Sequence, residues 1–598
     1  MVQELNYPFD ASMILKKKRS IKKTLISEET NRIKKKIAIL GGETTENIKL
    51  MLELFLLQQG IEPEFYESEY NQWYEDGMFP NEVLENFAPD IIYVCTCIRS
   101  IMEFPVMQDS AESVQNKLDS MYQKFSNLWN TLFEKYNCSI IQNNFEYPFY
   151  RLLGNMDASD YRGRVNFVTR LNMKFYEYAG SHENFHICDV NYISATYGLE
   201  KWSNPYYWHM YKYAMDVQAI PYLSFNVANI IKSIYGKNKK VLNLDLDNTL
   251  WGGVIGDDGA ENIEIGQETA IAQTYSEFQT YLKMHKDLGI LLTINSKNDE
   301  DVALRGLERP DSVLKKDDFV TIKANWNPKS QNLQETAGKL NLLPESFVFV
   351  DDNPAERQIV ADYISGVSVP EIGSPENYIN VIDKSGFFEM TTISDDDLKR
   401  VQMYKNNAER KKLQESFVDY NDYLISLEMH AEIGSFIPMY MSRIAQLTNK
   451  SNQFNLTTKR YSLAGIEAVA SDSSYITLYG KLADKFGDNG VVSVVIGKIG
   501  RENRDELHME LWIMSCRVLK RDMEFAMMDE LAAEAKKRGI KKIIGYYYPT
   551  AKNAMVKDFY RLQGFTLVNE DADGNRVWEL NLTEPYKKKQ NVIMINEI

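Results

Sequence analysis

The stretch that most limits this chain is Val241-Leu-Asn-Leu244, which stops at Asp245-Leu246-Asp247-Asn248-Thr249. An apolar run this short, bounded by a turn, reads as a buried strand rather than a core helix. Side chains two apart on an extended chain point to the same side, so Asp245 and Asp247 can share a metal ion and a substrate. Ligand sites of open α/β sheets lie at the carboxyl ends of strands, and that is where both carboxylates fall. For Asp-x-Asp taken alone, an acidic turn is the plainer reading.

The pattern recurs. Gly289-Ile-Leu-Leu-Thr-Ile294 ends in Asn295-Ser296-Lys297-Asn298, and Ser346-Phe-Val-Phe-Val350 ends in Asp351-Asp352-Asn353-Pro354. Between them stands Trp326-Asn327-Pro328-Lys329. In this order the four stretches resemble the motifs of the haloacid dehalogenase (HAD) phosphatase superfamily. The resemblance implies Asp245 as phosphoryl-accepting nucleophile and Asp247 as general acid, then base. It implies Thr249, Ser296, Asn298 and Lys329 around the phosphoryl group. Asp245, Asp247, Asp351 and Asp352 would hold Mg²⁺, a cation that takes hard oxygen ligands. A carboxylate nucleophile splits one difficult step into two. Caps that close HAD sites are inserted after the first motif or between the second and third. Neither gap has room for one, so the domain should be capless and open. Small diffusing substrates generally need a lid; an open site suits one presented by a macromolecule. Trp251-Gly252-Gly253 either shapes the entrance or forms a tight turn with a packed Trp.

At 598 residues the chain should hold several domains of roughly 100–200 residues each. A net charge of −16 argues against nucleic acid or anionic membrane as partner. No stretch approaches the roughly 18 apolar residues of a membrane span, and Met1 to Thr24 lacks the pattern of a secretory signal. Five scattered cysteines suit a reducing compartment, so a cytoplasmic location is expected. The expected fold class is multidomain α/β, with these boundaries: a basic helical segment (1–35), a doubly wound domain (36–225), the capless HAD domain (239–385), a helical connector (386–430), an α+β domain (431–585) and a tail (586–598). The basic segment reads as a solvated helix packed through Met13, Ile14, Ile21 and Leu25, with a docking surface for an acidic partner as the alternative. In the connector, Leu398, Val401 and Tyr404 should form one helix face.

The domain 36–225 alternates strands with helices, as a parallel sheet requires. Its layout resembles SGNH hydrolases and flavodoxin-like folds. The chemistry departs from that pattern: the first turn is Gly41-Gly42-Glu43-Thr44-Thr45, without serine, and Asp189 is followed three residues later by Tyr192 rather than histidine. His209 is the nearest late histidine. A non-hydrolytic framing or docking module is expected.

In the last domain, strands are expected at Tyr475–Leu478 and Val491–Lys498, joined through Asp484–Gly490, with a third over Leu507–Leu519 carrying Cys516. Helices should follow over Glu524–Arg538 and Asn553–Leu562, around a strand at Ile543–Tyr548. This order, closing on Gly564-Phe565, resembles the GNAT acyltransferase fold. The polar stretch Arg443–Thr458 either contacts a polar ligand or forms a well-bonded turn.

Taken together, DLDNTLWGGVIGDDG, RIAQLTNKSNQFNLTT, FGDNG and WIMSCRVL resemble FkbH-like proteins, which join an SGNH-like region, a capless HAD domain and a GNAT-like domain. That resemblance implies a phosphatase and acyltransferase that takes 1,3-bisphosphoglycerate, removes its remaining phosphate and hands a glyceryl group to the phosphopantetheine thiol of an acyl carrier protein. Cys516 is the candidate acceptor, with Arg517, Lys520 and Arg521 near in sequence and His508 and Glu510 on the same strand; nearby cations lower a thiol pKa. A buried strand cysteine is the alternative. After this strand Lys520-Arg-Asp-Met-Glu-Phe525 lacks the glycines of a coenzyme A loop. That favours a protein-held acyl group. Two other functions stay open: a phosphatase whose flanking domains only dock a carrier, and transfer of a different acid in surface polysaccharide or secondary-metabolite synthesis.

Overall fold

The computed structural model describes residues 2–28, 32–451, 453–550 and 552–596, and the chain divides into two units. The first ends at Lys237 and includes Glu389–Thr392. Its strands are β1 (Ile33–Gly41), β2 (Ile61–Glu67), β3 (Ile91–Cys95), β4 (Ser139–Asn143) and β5 (Phe185–Cys188), all parallel, in the order β2-β1-β3-β4-β5. Alternate residues of β1 feed opposite cores: Ile37 and Ile39 pack with the helices Glu46–Gln58 and Ile220–Ile234, Ala38 and Leu40 with Ala111–Tyr136. Helices on both faces are what an all-parallel sheet needs. The basic segment is the helix Ala11–Ser27, seated through Ile14, Ile21 and Leu25, with Lys16, Lys17 and Lys23 exposed while Lys18 and Lys22 bond Asn47 and Glu53 of the helix Glu46–Gln58. Lys34–Lys36 already belong to β1.

The order reverses between β1 and β3, the place where such sheets bind ligands. Here it is packed shut. A Cβ on Gly42 would lie 2.6 Å from Ser100 Oγ. Glu43 accepts from the Ala214 amide at 2.7 Å and from the Cys95 thiol at 3.7 Å. Glu146 accepts from the Ile98 amide at 3.3 Å. Asp189 caps the helix Val190–Tyr197, and His209 is exposed on Pro205–Tyr211.

The second unit opens with β6 (Val241–Leu244), β7 (Leu291–Ser296), β8 (Phe319–Ala324) and β9 (Phe347–Val350), parallel in the order β8-β7-β6-β9. Only the four-residue helix Ile255–Asp258 precedes Ala270–Asp287. Between β7 and β8 lie Glu300–Glu308 and one short turn of helix. No folded insert stands over the sheet's carboxyl edge, and this is the capless arrangement.

The connector forms Asp395–Leu398 and Arg400–Glu415. Val401 and Tyr404 pack under the β6–β9 sheet, whereas Leu398, expected on the same face, is exposed because the helix breaks after it. A second sheet follows: β10 (Met429–Gly434), β11 (Tyr475–Asp484), β12 (Gly487–Ile499), β13 (Glu506–Met514), β14 (Lys542–Tyr547), β15 (Thr566–Glu570), β16 (Arg576–Asn581) and β17 (Ile593–Asn596), in the order β15-β16-β14-β13-β12-β11-β10-β17. It is a GNAT-like α+β sheet, antiparallel through its middle with two parallel pairs, β13 with β14 and β10 with β17 at the edge.

Three expectations change here. The strands β11 and β12 run on to a two-residue turn, Lys485-Phe486, because buried Asp484 is held by Arg410 at 2.7 Å and Arg521 at 3.1 Å. Asn553–Leu562 is not one helix. Asn553 is buried as a turn clasp, binding Thr550 N, Tyr548 O and Asn455 O, and only Ala554–Val556 and Phe559–Leu562 are helical. The strand expected over Leu507–Leu519 ends at Met514, and Cys516 begins a turn of 3-10 helix.

No helix among the described residues is long and apolar enough to cross a membrane.

Burial pushes the Glu43 carboxyl up to about 8, with Glu146 adding to it, and burial pushes Glu146 up to about 7. Both titrate near 4.5 when unperturbed. Between these values the folded state holds protons that the unfolded state has lost, so this stability is full below 4.5 and lost as pH rises through 7 to 8. The melting midpoint of the first unit should fall between about pH 6 and pH 8.5, and Glu43→Gln should flatten that slope. Calorimetry of the full chain tests this; an unchanged slope in the variant contradicts it.

Candidate active site

The chain steps from β6 to β7 to β8 in one direction and returns to place β9 on the other side of β6. The crevice of such a sheet opens at the carboxyl ends of the two strands where the order reverses. Asp245 is the first residue after β6 and Asp351 the first after β9. The Asp245 amide still bonds Val350 O at 3.0 Å, so the two carboxylates leave the sheet side by side. Lys329 Nζ lies 2.8 Å from Asp245 Oδ2 and 2.6 Å from Asp351 Oδ2. All three side chains are buried.

The lysine is itself positioned. It starts the helix Lys329–Leu340, and Asn295 Nδ2 holds its carbonyl at 2.8 Å while also bonding Asn243 Oδ1 at 3.0 Å. Burial works against the ammonium charge, but Asp245 and Asp351 outweigh it and raise the lysine pKa. On the acid side, burial and the Asp245 charge raise both Asp351 and Asp352 above the usual carboxylate range.

Asp245, Asp351 and Asp352 each bring an oxygen within 4.8 Å of the others. Asp245 Oδ1 is buried and has no hydrogen-bond partner among the described residues. Hard oxygen donors, excess negative charge and an unpartnered buried oxygen together fit a divalent cation. The Asp247 carboxylate, expected among the ligands, is outside this group. Its Oδ1 accepts from Trp251 Nε1 at 2.9 Å and the Ile255 amide at 3.1 Å, and its Oδ2 from Asn298 Nδ2 at 2.9 Å. Asn298 also reaches Ser296 Oγ at 3.3 Å, so Ser296, Asn298 and Asp247 form one chain of polar contacts. Thr249 is buried, and its hydroxyl accepts from the Asp352 amide at 3.2 Å; it ties the β6 loop to the β9 loop.

Several positioning residues escaped the sequence. Arg357 donates to the carbonyls of Asp351 and Asp352, each at 2.8 Å. Asn248 takes a left-handed φ of 53°, a conformation asparagine tolerates, and its carbonyl accepts from Tyr378 at 2.8 Å. Trp251 is buried against Asp247 and does not line the mouth; Trp326 is 69% exposed and donates to Asp299 at 2.9 Å. Asn-Pro before Lys329 and Asn after Asp351 are turn signals that point to such roles; the arginine and tyrosine carry none.

Cys516 lies elsewhere. It is half-buried, packs under the sheet with Val241, Leu291, Phe347 and Tyr404, and its carbonyl accepts from Asn341 at 3.1 Å. It lines a cavity with Lys240 and Ser346, the residues just before β6 and β9. Cys516 thus sits at the amino edge of the sheet whose carboxyl edge carries Asp245. At about 3.3 Å per residue, Lys240 and Asp245 are roughly 16 Å apart. Of the cations expected from sequence, Arg517 faces this cavity, whereas Arg521 is buried on Asp484 and Lys520 is exposed; His508 bonds Tyr546 at 2.8 Å, and Glu510 bonds Tyr461 at 2.8 Å. Lys240, to which the sequence did not point, faces the same cavity. Burial pushes the thiols of Cys95, Cys97, Cys138 and Cys188 upward.

Beside this geometry stand the similarities to known proteins. The family model "FkbH, N-terminal domain" matches residues 36–232. A crystal structure of the N-terminal part of the protein BF1531 from Bacteroides fragilis, containing a phosphatase domain complexed with Mg, is 30% identical, with 63% of this chain and 98% of that one covered at a TM-score of 0.57. The chain belongs to the FkbH family. Parts of it also match the ribosomal-protein-S18-alanine N-acetyltransferase of Escherichia coli (14% identity, 27% of this chain, 99% of that one, TM-score 0.21) and the GNAT domain of S. lividans PAT (17%, 25%, 89%, 0.21). No curated protein matches the chain. This FkbH-family chain therefore joins an FkbH N-terminal domain to a capless HAD-type domain.

Removing one partner of a buried ion pair typically costs about 3–5 kcal/mol. Lys329→Met should therefore lose about 3 kcal/mol in urea unfolding with chelator present, while Asp245→Asn should lose little or gain, because it removes a repelling charge. Added Mg²⁺ should raise the wild-type melting temperature and leave that of Asp351→Asn unmoved.

Proposed function

We propose that this protein is a Mg²⁺-dependent phosphatase and acyltransferase that loads a glyceryl-type acyl group onto an acyl carrier protein. The donor would be a small phosphorylated acyl phosphate such as 1,3-bisphosphoglycerate. The observation that carries the phosphatase half is Lys329 bridging Asp245 and Asp351 at an uncovered crevice. Asp245 attacks phosphorus, the bond from phosphorus to the substrate oxygen breaks, and Asp247 gives that oxygen its proton. Asp247 then takes a proton from the water that hydrolyses the aspartyl-phosphate. Lys329 stabilises charge on the transferring group. Asp245, Asp351 and Asp352 would hold the cation, which when bound neutralises phosphoryl oxygens. Family membership and the Mg named for the Bacteroides fragilis relative support this half.

For acyl transfer, Cys516 supplies the thiolate. It attacks the acyl carbon, a C–S bond forms, the bond from carbon to the phosphate oxygen breaks, and phosphate leaves with the electron pair. The thiol proton goes to buffer. The phosphopantetheine thiol of the carrier then displaces Cys516. A second reading has the flanking domains only docking the carrier, and one observation favours it. Beyond Glu506–His508 the parallel strands β13 and β14 part, and residues 454–456 bond Trp512, Met514 and Tyr548 across the gap.

Asp245→Asn should abolish metal-dependent phosphate release, and Lys329→Ala should lower it by roughly two orders of magnitude or more. Retention of most activity by Asp245→Asn sinks the nucleophile assignment. After incubation with the acyl phosphate, intact-mass analysis should find a hydroxylamine-sensitive adduct on the Cys516 peptide. Cys516→Ser should lose transfer yet still release phosphate from a preformed phosphoglyceryl carrier. An adduct on another cysteine moves the site; full transfer by the serine variant leaves direct transfer to the carrier.

A further inference from the structure

The cavity beside Cys516 has a volume of about 110 Å³, several times the ~15 Å³ that admits one water. Lys240, Arg400, Arg443, Lys450 and Arg517 line it, against Asp396, Asp397 and Glu345. The acids are already engaged. Glu345 pairs with Lys552 at 2.5 Å, Asp396 with Arg443 at 2.8 Å and Arg517 at 3.2 Å, and Asp397 with Arg400 and with Lys450 at 3.2 Å. Two aspartates thus serve four cations, and the Lys240 ammonium makes no ion pair among the described residues. Arg443 Nε is buried with no hydrogen-bond partner.

Positive charge here exceeds negative, and the cationic side chains are largely but not fully buried. Burial, with Arg400 and Arg443 opposing the pull of Asp397, brings Lys450 down to about 8. Burial, with Arg517 and Arg400 adding to it, brings Arg443 down to about 10. Lys240 is lowered by burial and by Arg400 and Arg517. Buried charge is stable only when paired and hydrogen-bonded, and guanidinium groups match phosphoryl oxygens in shape and charge.

We propose that this cavity binds the phosphoryl oxygens of the small acyl phosphate donor, with Lys240 and Arg443 as direct ligands, and so holds the acyl carbon beside Cys516. The identity of the ligand rests on the reading of Cys516 as acceptor; the anion site stands on its own. The site lies at the opposite edge of the HAD sheet from Asp245, so it is separate from the phosphatase centre.

Iodoacetamide labelling of the full-length protein, read by mass at the Cys516 peptide, tests this. The other four cysteines are buried. Inorganic phosphate should slow labelling of Cys516 in a saturable way, and sodium chloride at matched ionic strength should not. Lys240→Gln should weaken phosphate protection roughly tenfold or more. Lys240 has no carboxylate partner to strand, and a thermal melt checks that the variant folds; if it does not, the comparison of phosphate with chloride decides. Absent protection, equal protection by chloride, or an unchanged phosphate affinity in a folded Lys240→Gln overturns the proposal. Protection by a carrier's phosphopantetheine at far lower concentration than by phosphate overturns the small-donor occupant. Acylation of Cys516 without phosphate protection removes the anion site and leaves the acceptor; protection without acylation does the reverse.

Discussion

One ammonium group holds the catalytic edge of this protein together. Lys329 lies within 2.8 Å of two carboxylates that burial would otherwise drive apart. Like charges in a low-dielectric site disfavour each other's ionisation, and Asp352 adds a third. The fold answers by fixing each partner from behind: Asn295 holds the Lys329 carbonyl, Arg357 the Asp351 and Asp352 carbonyls, and Thr249 the Asp352 amide. Residual negative charge and the unpartnered Asp245 oxygen remain facing the crevice, which is the environment a divalent cation and a phosphoryl group require.

The HAD domain was legible because three of its four strands, β6, β7 and β9, are largely apolar runs with polar residues at the end, whereas β8 carries Thr321 and Lys323 within it. Val241–Leu244 and Phe347–Val350 end at Asp245 and Asp351, and the parallel order then brings those ends together. What the sequence could not convey is which atoms of Asp247 point where. Alternation put it beside Asp245 as a ligand, but the chain leaves the strand at Leu244, and the loop turns its carboxylate to Trp251 and Asn298.

The third domain was legible in its order of elements and not in its turns. Leu507–Leu519 is apolar at nine of its thirteen positions, and an apolar-rich run does not distinguish a strand from a buried turn. Val518 is buried as part of a 3-10 turn, so the run continues after the strand has stopped. The described residues of the polar stretch after Arg443 form the end of the helix Pro438–Lys450 and a backbone plug between β13 and β14; Asn449 and Asn455 bond the chain's own backbone, and Gln453 lines the cavity beside Cys516. The cations at Cys516 come from Lys240, from the connector, from that helix and from Arg517; adjacency in sequence pointed to Arg517, Lys520 and Arg521, and only the first is there.

The distance between the two edges of the β6–β9 sheet constrains any scheme that uses both. A four-residue strand separates Lys240 from Asp245, and the intervening core is packed with Leu242, Leu244, Val348 and Val350. A group held on Cys516 cannot pass through that core to meet Asp245, and Cys516 itself is anchored through Asn341 and Tyr404. If both centres act on one acyl group, the group has to leave Cys516 before its phosphate is removed. A tethered arm on a carrier suits that traffic: it collects the acyl group at the amino edge and presents it at the open carboxyl edge. Under the proposed function, a carrier that brings the substrate would also cover the crevice, which would give the missing cap a physical reason.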